Sequence, residues 1–322
     1  MKNQEKIFVI GHKNPDTDSI CSAIAYCDIK NRTTQESRYI PKRAGQINEE
    51  TEYVLNRFGV QPPGYLSNIG TQVKDMDIRL SPEANKSMSL KNAWDLMQEN
   101  SIVSLPIREK DGTLEGLITI GDIAKTYMDT TDSYLLSRAR TQYQRIAETI
   151  GGKVIEGNAH GYFIQGKIMV ATANPDKMKE YVEENDMVIM GNREEDHLQA
   201  IEQNVSCIIV GMGIEVTEKV LKLAHEKDIV IISSPYDTFT ISRLINQSIP
   251  VKYIMKTDNL VTFNTEDFTD DIQEVMIKHR HRAFPVINKK GKCIGTISRR
   301  NFLDMHRKKV VLVDHNEKDQ AV

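Results

Sequence analysis

His12, Asp16 and Asp18 fall within seven residues, in the run Gly11-His12-Lys13-Asn14-Pro15-Asp16-Thr17-Asp18-Ser19. One imidazole with two carboxylates is a hard-to-borderline donor set, suited to Mn2+, Fe2+ or Co2+ more than to thiolate-binding metals. The run follows Lys6-Ile7-Phe8-Val9-Ile10, an apolar stretch that reads as a strand, and ligands of open α/β sheets gather at the carboxyl ends of strands. Near the other end of the chain, Val310-Val311-Leu312-Val313 is a second such stretch and stops at Asp314. A carboxylate there can reach the same sheet edge and bridge two ions. Two adjacent metals activate a bridging water and stabilise an in-line phosphoryl displacement. A plainer reading stands beside this one: Asp16, Asp18 and Ser19 are residue types that cap a following helix. Capping accounts well for one residue and leaves His12 and the Asn14-Pro15 pair without a role.

The elements that must position these groups follow β-α-β-α order over residues 1–70. After the strand and the polar loop, Ser19 to Asn31 carries Ile20, Ala23, Ile24, Cys27 and Ile29 at mostly helical spacing. A weak strand near Arg38 to Pro41 and a helix from Asn48 to Phe58 follow, closed by Gly59 and Pro62-Pro63-Gly64. Residues 309–322 resume the same grammar, so the two segments are expected to be halves of one domain split by an insertion of about 240 residues. Three strands and two helices cannot cover both faces of a parallel sheet. That domain is therefore expected to be incomplete on its C-terminal side.

The insertion contains a repeat. Leu105-Pro106-Ile107, Gly112, Gly116, Thr119 and Asp122 match Phe284-Pro285-Val286, Gly291, Gly295, Ser298 and Asn301 without a gap, over residues 71–128 and 250–308. Met97 and Met276 each stand nine residues before the proline, on helical stripes that read as core. Between the repeats, residues 129–249 carry Met187-Val188-Ile189-Met190, Cys207-Ile208-Ile209-Val210 and Ile229-Val230-Ile231-Ile232, alternating with helical segments at 194–203, 215–226 and 238–246. That grammar predicts a small parallel-sheet domain. Its Gly211-Met212-Gly213 reads as a tight turn before it reads as a phosphate loop.

The segment Gly11 to Ala23 resembles the N-terminal signature of the family II inorganic pyrophosphatases, which belong to the Asp-His-His phosphoesterases, and Val313-Asp314-His315-Asn316-Glu317 resembles that family's second motif. The resemblance implies that His12, Asp16, Asp18 and Asp314 hold manganese (or cobalt or magnesium), with Asp314 bridging, and that the substrate is pyrophosphate. The chain departs from the family in having no Asp-His-His triplet; Asp196-His197-Leu198 is the nearest spelling. The family's catalytic histidine has no counterpart here, and the missing elements are expected beyond Val322. The repeats are similar to a pair of CBS modules, and residues 129–249 to the DRTGG domain, with Asn192 standing where the DRTGG name has aspartate. The fold implied is α/β: a split parallel-sheet domain interrupted by a CBS–DRTGG–CBS regulatory insertion. CBS pairs imply adenine nucleotides as regulatory ligands (AMP, ADP or diadenosine polyphosphates) and a homodimer. The candidate nucleotide contacts are Ser101, Gly116, Thr119, Asp122, Arg280, His281, Arg282, Ser298 and Asn301. Hydroxyls and backbone N–H groups at a helix start favour phosphate, and Asp122 fits acceptance from both ribose hydroxyls. Asn301 departs from the acidic pattern and brings no charge.

Bulk properties narrow the alternatives. The 322 residues are 39% hydrophobic and 27% charged, with a net charge of −3, so no basic field points to nucleic acid or an anionic membrane. No apolar run reaches the length of a membrane span, and no signal-peptide core stands at the N-terminus. Cys21, Cys27, Cys207 and Cys293 are scattered without a CxxC pair and read as free thiols of a cytoplasmic protein. Two other readings compete: a different Asp-His-His phosphoesterase, and an adenylate-sensing protein without catalysis.

Overall fold

The computed structural model describes residues 5–34, 37–66, 70–128, 132–171, 175–279, 281–303 and 309–313. The chain divides into two compact units, one of residues 1–78, 264–280 and 299–322, the other of residues 79–263 and 281–298.

The first unit holds a parallel sheet ordered Lys309–Leu312, Glu5–Ile10, Ser37–Arg43, Gly64–Tyr65. The two ends of the sequence therefore do share one sheet: Ile7 is level with Lys309 and Ile10 with Leu312. The Val313 N–H continues the ladder, donating to the Ile10 carbonyl at 2.9 Å. The Thr17–Thr33 helix buries Ile20, Ala23 and Cys27, and Ala23 and Cys27 pack with Val9 of the central strand. Asn48 caps the Glu49–Arg57 helix by accepting from the Thr51 N–H at 2.8 Å, and Glu49, Glu50 and Glu52 complement its positive end. The same unit includes the Thr269–Lys278 helix, whose approach is set by hydrogen bonds from Val73 to Asp267 (3.0 Å) and from Thr269 to Thr71 (3.0 Å).

In the second unit a five-stranded sheet runs Ile168–Val170, Met187–Met190, Cys207–Val210, Val230–Ser233, Lys153–Glu156. The first four are parallel and the last is antiparallel. Its central strands are buried throughout because helices cover both faces. Val188, Met190, Ile208 and Val210 pack with Ala200, Ile201, Val220 and Ala224 on one side. Ile189, Ile209 and Ile232 pack with Ile146, Ile150 and Ile241 on the other. The three anticipated strands are present; the two flanking ones are additions, and the antiparallel Lys153–Glu156 makes the sheet mixed rather than purely parallel.

The repeats fold alike. The first forms the Leu90–Glu99 helix, the hairpin of Ser104–Arg108 with Leu114–Thr119, and the Ile120–Met128 helix. The second supplies the hairpin of Phe284–Ile287 with Cys293–Ile297. Registers coincide: Pro106 opposes Leu117 and Pro285 opposes Thr296, and each hairpin shifts register two residues after its proline. The two hairpins meet at their turns, where the Cys293 N–H donates to the Gly112 carbonyl at 3.0 Å. All four cysteines are free thiols, and burial pushes each thiol pKa up, that of Cys27 to about 11. No helix among the described residues is long and apolar enough to cross a membrane.

Candidate metal loop and nucleotide-binding residues

The loop between Ile10 and Thr17 is held by close packing. A Cβ on Gly11 would lie 1.8 Å from Ser19 Oγ, and one on Gly45 would lie 2.5 Å from the Lys13 carbonyl oxygen and 2.6 Å from Pro15 Cδ. Within it, His12 Nε2 stands 3.3 Å from Asp16 Oδ1, with the imidazole 13% exposed and the carboxylate 51%. Asp16 is also the N-cap of the Thr17–Thr33 helix, its Oδ1 accepting from the Ser19 N–H at 2.8 Å. The helix cap and the candidate metal donor are thus the same residue, and the capping carboxylate lies beside His12. An imidazole nitrogen and a carboxylate oxygen this close can both reach one divalent cation, at the roughly 2.0–2.2 Å such bonds need. Asp18 stands in the first turn of that helix, its carboxylate accepting from Ser22 Oγ at 3.4 Å. Among the described residues no three His, Cys, Asp or Glu side chains converge. Asp314 lies outside the described residues, directly after Val313.

At the start of the Ile120–Met128 helix, Thr119 and Asp122 bond reciprocally. Asp122 Oδ2 accepts from the Thr119 N–H (2.9 Å) and hydroxyl (2.6 Å), and Thr119 Oγ1 accepts from the Asp122 N–H at 3.3 Å. This is a capping box, and it fixes the carboxylate that the sequence assigns to ribose. Gly116, three residues earlier, admits the backbone at Lys256: a Cβ there would lie 3.0 Å from the Lys256 carbonyl oxygen and 2.8 Å from the Met255 side-chain sulfur. Lys256 exchanges both backbone hydrogen bonds with Leu117, each at 2.9 Å, and its ammonium stands 3.3 Å from Asp122 Oδ1. Lys256 escaped sequence reasoning because it lies ahead of the matched positions of the second repeat, which begin at Met276. The bare Gly116 was the signal that another backbone approaches closely here.

The remaining candidates are placed less symmetrically. Ser101 is exposed at φ 50° in the turn after the Leu90–Glu99 helix. His281 and Arg282 are exposed, the His281 ring meeting Phe284 edge-on at 5.7 Å, and Ser298 is half-buried. Arg280 lies outside the described residues. Asn301 falls in the first unit, where its amide donates to the Asp77 carbonyl at 2.6 Å. Arg299 donates to the Met276 (3.2 Å) and His279 (2.6 Å) carbonyls, closing the end of the Thr269–Lys278 helix. The second repeat therefore uses the end of its motif for structure where the first presents a carboxylate.

Gly211-Met212-Gly213 is a tight turn: Met212 and Gly213 have φ 66° and 64°, and their N–H groups donate to the Tyr236 (2.7 Å) and Ser234 (2.8 Å) carbonyls. Those donors are spent within the protein. A separate apolar pocket of about 340 Å³ is lined by Leu90, Trp94, Ile120, Ile123 and Tyr127, with Trp94 and Tyr127 partly exposed.

Comparison with known proteins agrees with this arrangement. The CBS domain family matches residues 77–129 and 251–308, and the DRTGG domain family residues 145–248. The cobalt-dependent inorganic pyrophosphatase of Clostridium perfringens is 38% identical over 320 residues, covering 99% of this chain and 58% of that protein. The probable manganese-dependent inorganic pyrophosphatase of Thermotoga maritima is 30% identical over 321 residues, again 58% of its length. The chain thus spans somewhat over half the length of these relatives. Among solved structures, the CBS and DRTGG domains of the regulatory region of Clostridium perfringens pyrophosphatase, complexed with the activator diadenosine tetraphosphate, superpose with a TM-score of 0.68 at 34% identity. They cover 71% of this chain and 100% of that one. With its metal-loop signature, paired repeats and intervening domain, the chain belongs to the family II manganese- and cobalt-dependent inorganic pyrophosphatases that carry CBS and DRTGG domains.

Proposed function

We propose that this chain senses adenine nucleotides through its CBS repeats and, through the His12–Asp16 loop, contributes part of a manganese or cobalt site to pyrophosphate hydrolysis. The observation that carries the nucleotide half is the locked Thr119–Asp122 pair. It presents a carboxylate at a helix start, in a fold like that of a regulatory region whose activator is a diadenosine polyphosphate. Asp122 accepts ribose hydroxyls, and Thr119 and the helix N-terminus favour phosphate. Ser101, Gly116, His281, Arg282 and Ser298 stand as the other contacts.

The metal half rests on the donor pair of His12 and Asp16, 3.3 Å apart, with Asp18 and Asp314 as the further donors. A divalent cation held there supplies Lewis-acid activation of water and of the phosphoryl group. The chain's own part is to hold the imidazole and carboxylate in one orientation through the Ser19 cap and the Gly11 and Gly45 contacts. We further propose a cytoplasmic homodimer, with the partly exposed Trp94 and Tyr127 beside the apolar pocket as its contact.

Calorimetric titration of the protein with AMP and with diadenosine tetraphosphate tests the sensor; no heat of binding at millimolar ligand refutes it. Phosphate release from pyrophosphate with Mn2+ or Co2+, measured on the protein extended to the length of its relatives, tests the hydrolase. Activity that survives Asp16→Ala refutes the metal assignment.

A further inference from the structure

Asp122 divides its two carboxylate oxygens between partners. Oδ2 is committed to Thr119, accepting from its N–H at 2.9 Å and its hydroxyl at 2.6 Å, while Oδ1 faces the Lys256 ammonium at 3.3 Å. The backbone of Lys256 cannot drift, because it is bonded to Leu117 through both its N–H and its carbonyl. Its side chain can: it is 60% exposed, against 18% for Asp122. A lysine stem so anchored swings a compact point charge through a short arc.

A ribose diol taking Oδ1 must displace that ammonium. A neutral nucleoside offers the ammonium nothing in return, whereas a nucleotide carries a phosphate only a few bonds from the diol, within the arc of the lysine. We infer that Lys256 is the residue by which the Asp122 site selects phosphorylated adenine nucleotides over adenosine, giving up Asp122 to the ribose and taking up the phosphate. The inference rests on the adenine-nucleotide reading above. Solvent reaches the lysine, so the selectivity it confers is moderate, about tenfold in affinity.

The test is calorimetric titration of the protein and of Lys256→Met and Lys256→Arg with AMP and with adenosine, thermal melts verifying that the variants fold. Lys256→Met should weaken AMP about tenfold and leave adenosine unchanged or tighter by up to about fivefold, while Lys256→Arg should keep most of the preference for AMP. A Lys256→Met protein with the wild-type ratio of AMP to adenosine affinity overturns the inference and leaves the nucleotide reading standing. A wild-type protein that binds neither ligand overturns both.

Discussion

Two substitutions at Asp122 separate its structural role from its recognition role. Asp122→Ala removes the acceptor for the Thr119 N–H and hydroxyl and the partner of Lys256. Loss of such a cap costs about 1 kcal/mol, and the ion pair, open to solvent on the lysine side, adds only ~0.2–1 kcal/mol. The second unit should therefore melt lower, by about 2–4 °C for each kcal/mol lost. Asp122→Asn keeps an oxygen to accept from Thr119 and loses only the charge, so it should stay within about 0.5 kcal/mol of wild type. Its nucleotide affinity should nevertheless fall roughly 10- to 150-fold, because hydrogen bonds to a charged acceptor are worth about 1.5–3 kcal/mol. Differential scanning calorimetry and titration with diadenosine tetraphosphate read the two quantities independently. An Asp122→Asn protein that binds as wild type refutes the ribose assignment, and one that melts as low as Asp122→Ala refutes the division of roles.

Other expectations concern the metal loop, the core, a titrating pair and the dimer. Gly45→Ala puts a methyl 2.5 Å from the Lys13 carbonyl, so Mn2+ affinity followed by electron paramagnetic resonance should fall roughly 10- to 100-fold; an unchanged affinity refutes the packing argument. Leu105→Ala, at a position with no exposure, should cost about 2–5 kcal/mol in urea unfolding, and a loss below about 1 kcal/mol would contradict its place in the core. The hydrogen bond that His225 Nδ1 donates to the Glu156 carboxylate, at 3.0 Å, holds the imidazole pKa above its ordinary 6.5. A raised folded pKa means that the pair's contribution is complete below pH 6.5 and is lost as pH rises through the folded value. An NMR titration should place His225 above 6.5 and return it towards 6.5 in Glu156→Gln; a wild-type value at or below 6.5 refutes the pairing. Trp94→Glu, beside the apolar pocket, should convert the proposed homodimer to monomer in sedimentation velocity, and a variant that sediments as wild type rules out that contact.

How much could be read from the sequence depended on how far apart the interacting residues lie along it. The His12–Asp16 contact was legible because both residues sit in one short loop, and the capping role read for Asp16 is present. The repeats were legible because a hairpin with fixed register imposes fixed spacing: Pro106 opposite Leu117 and Pro285 opposite Thr296 are one geometry written twice. The flanking strands Lys153–Glu156 and Ile168–Val170 were not: the first has only two apolar residues between charged ones, and the second is just three residues long. Lys256 stayed hidden because its partnership with Asp122 arises from a long-range bridge to Leu117, not from any local period. In the second repeat, similarity of spelling concealed a different use, with Arg299 closing a helix end and Asn301 holding a linker.

The pairing of Glu5–Ile10 with Lys309–Leu312 has a consequence for how the protein is made. Ile7 leaves the ribosome about 300 residues before its partner Lys309. At roughly 5–20 residues per second, that is some 15–60 s of synthesis. Throughout that interval one flank of the Glu5–Ile10 strand is an unpaired edge, the kind of surface that recruits other strands. The intervening repeats can fold while it waits, and their folding shortens the effective loop that must close. Because closure entropy grows only with the logarithm of loop length, most of the burden is kinetic: the sheet that carries the His12–Asp16 loop gains the Lys309–Leu312 strand only after the intervening repeats have been made.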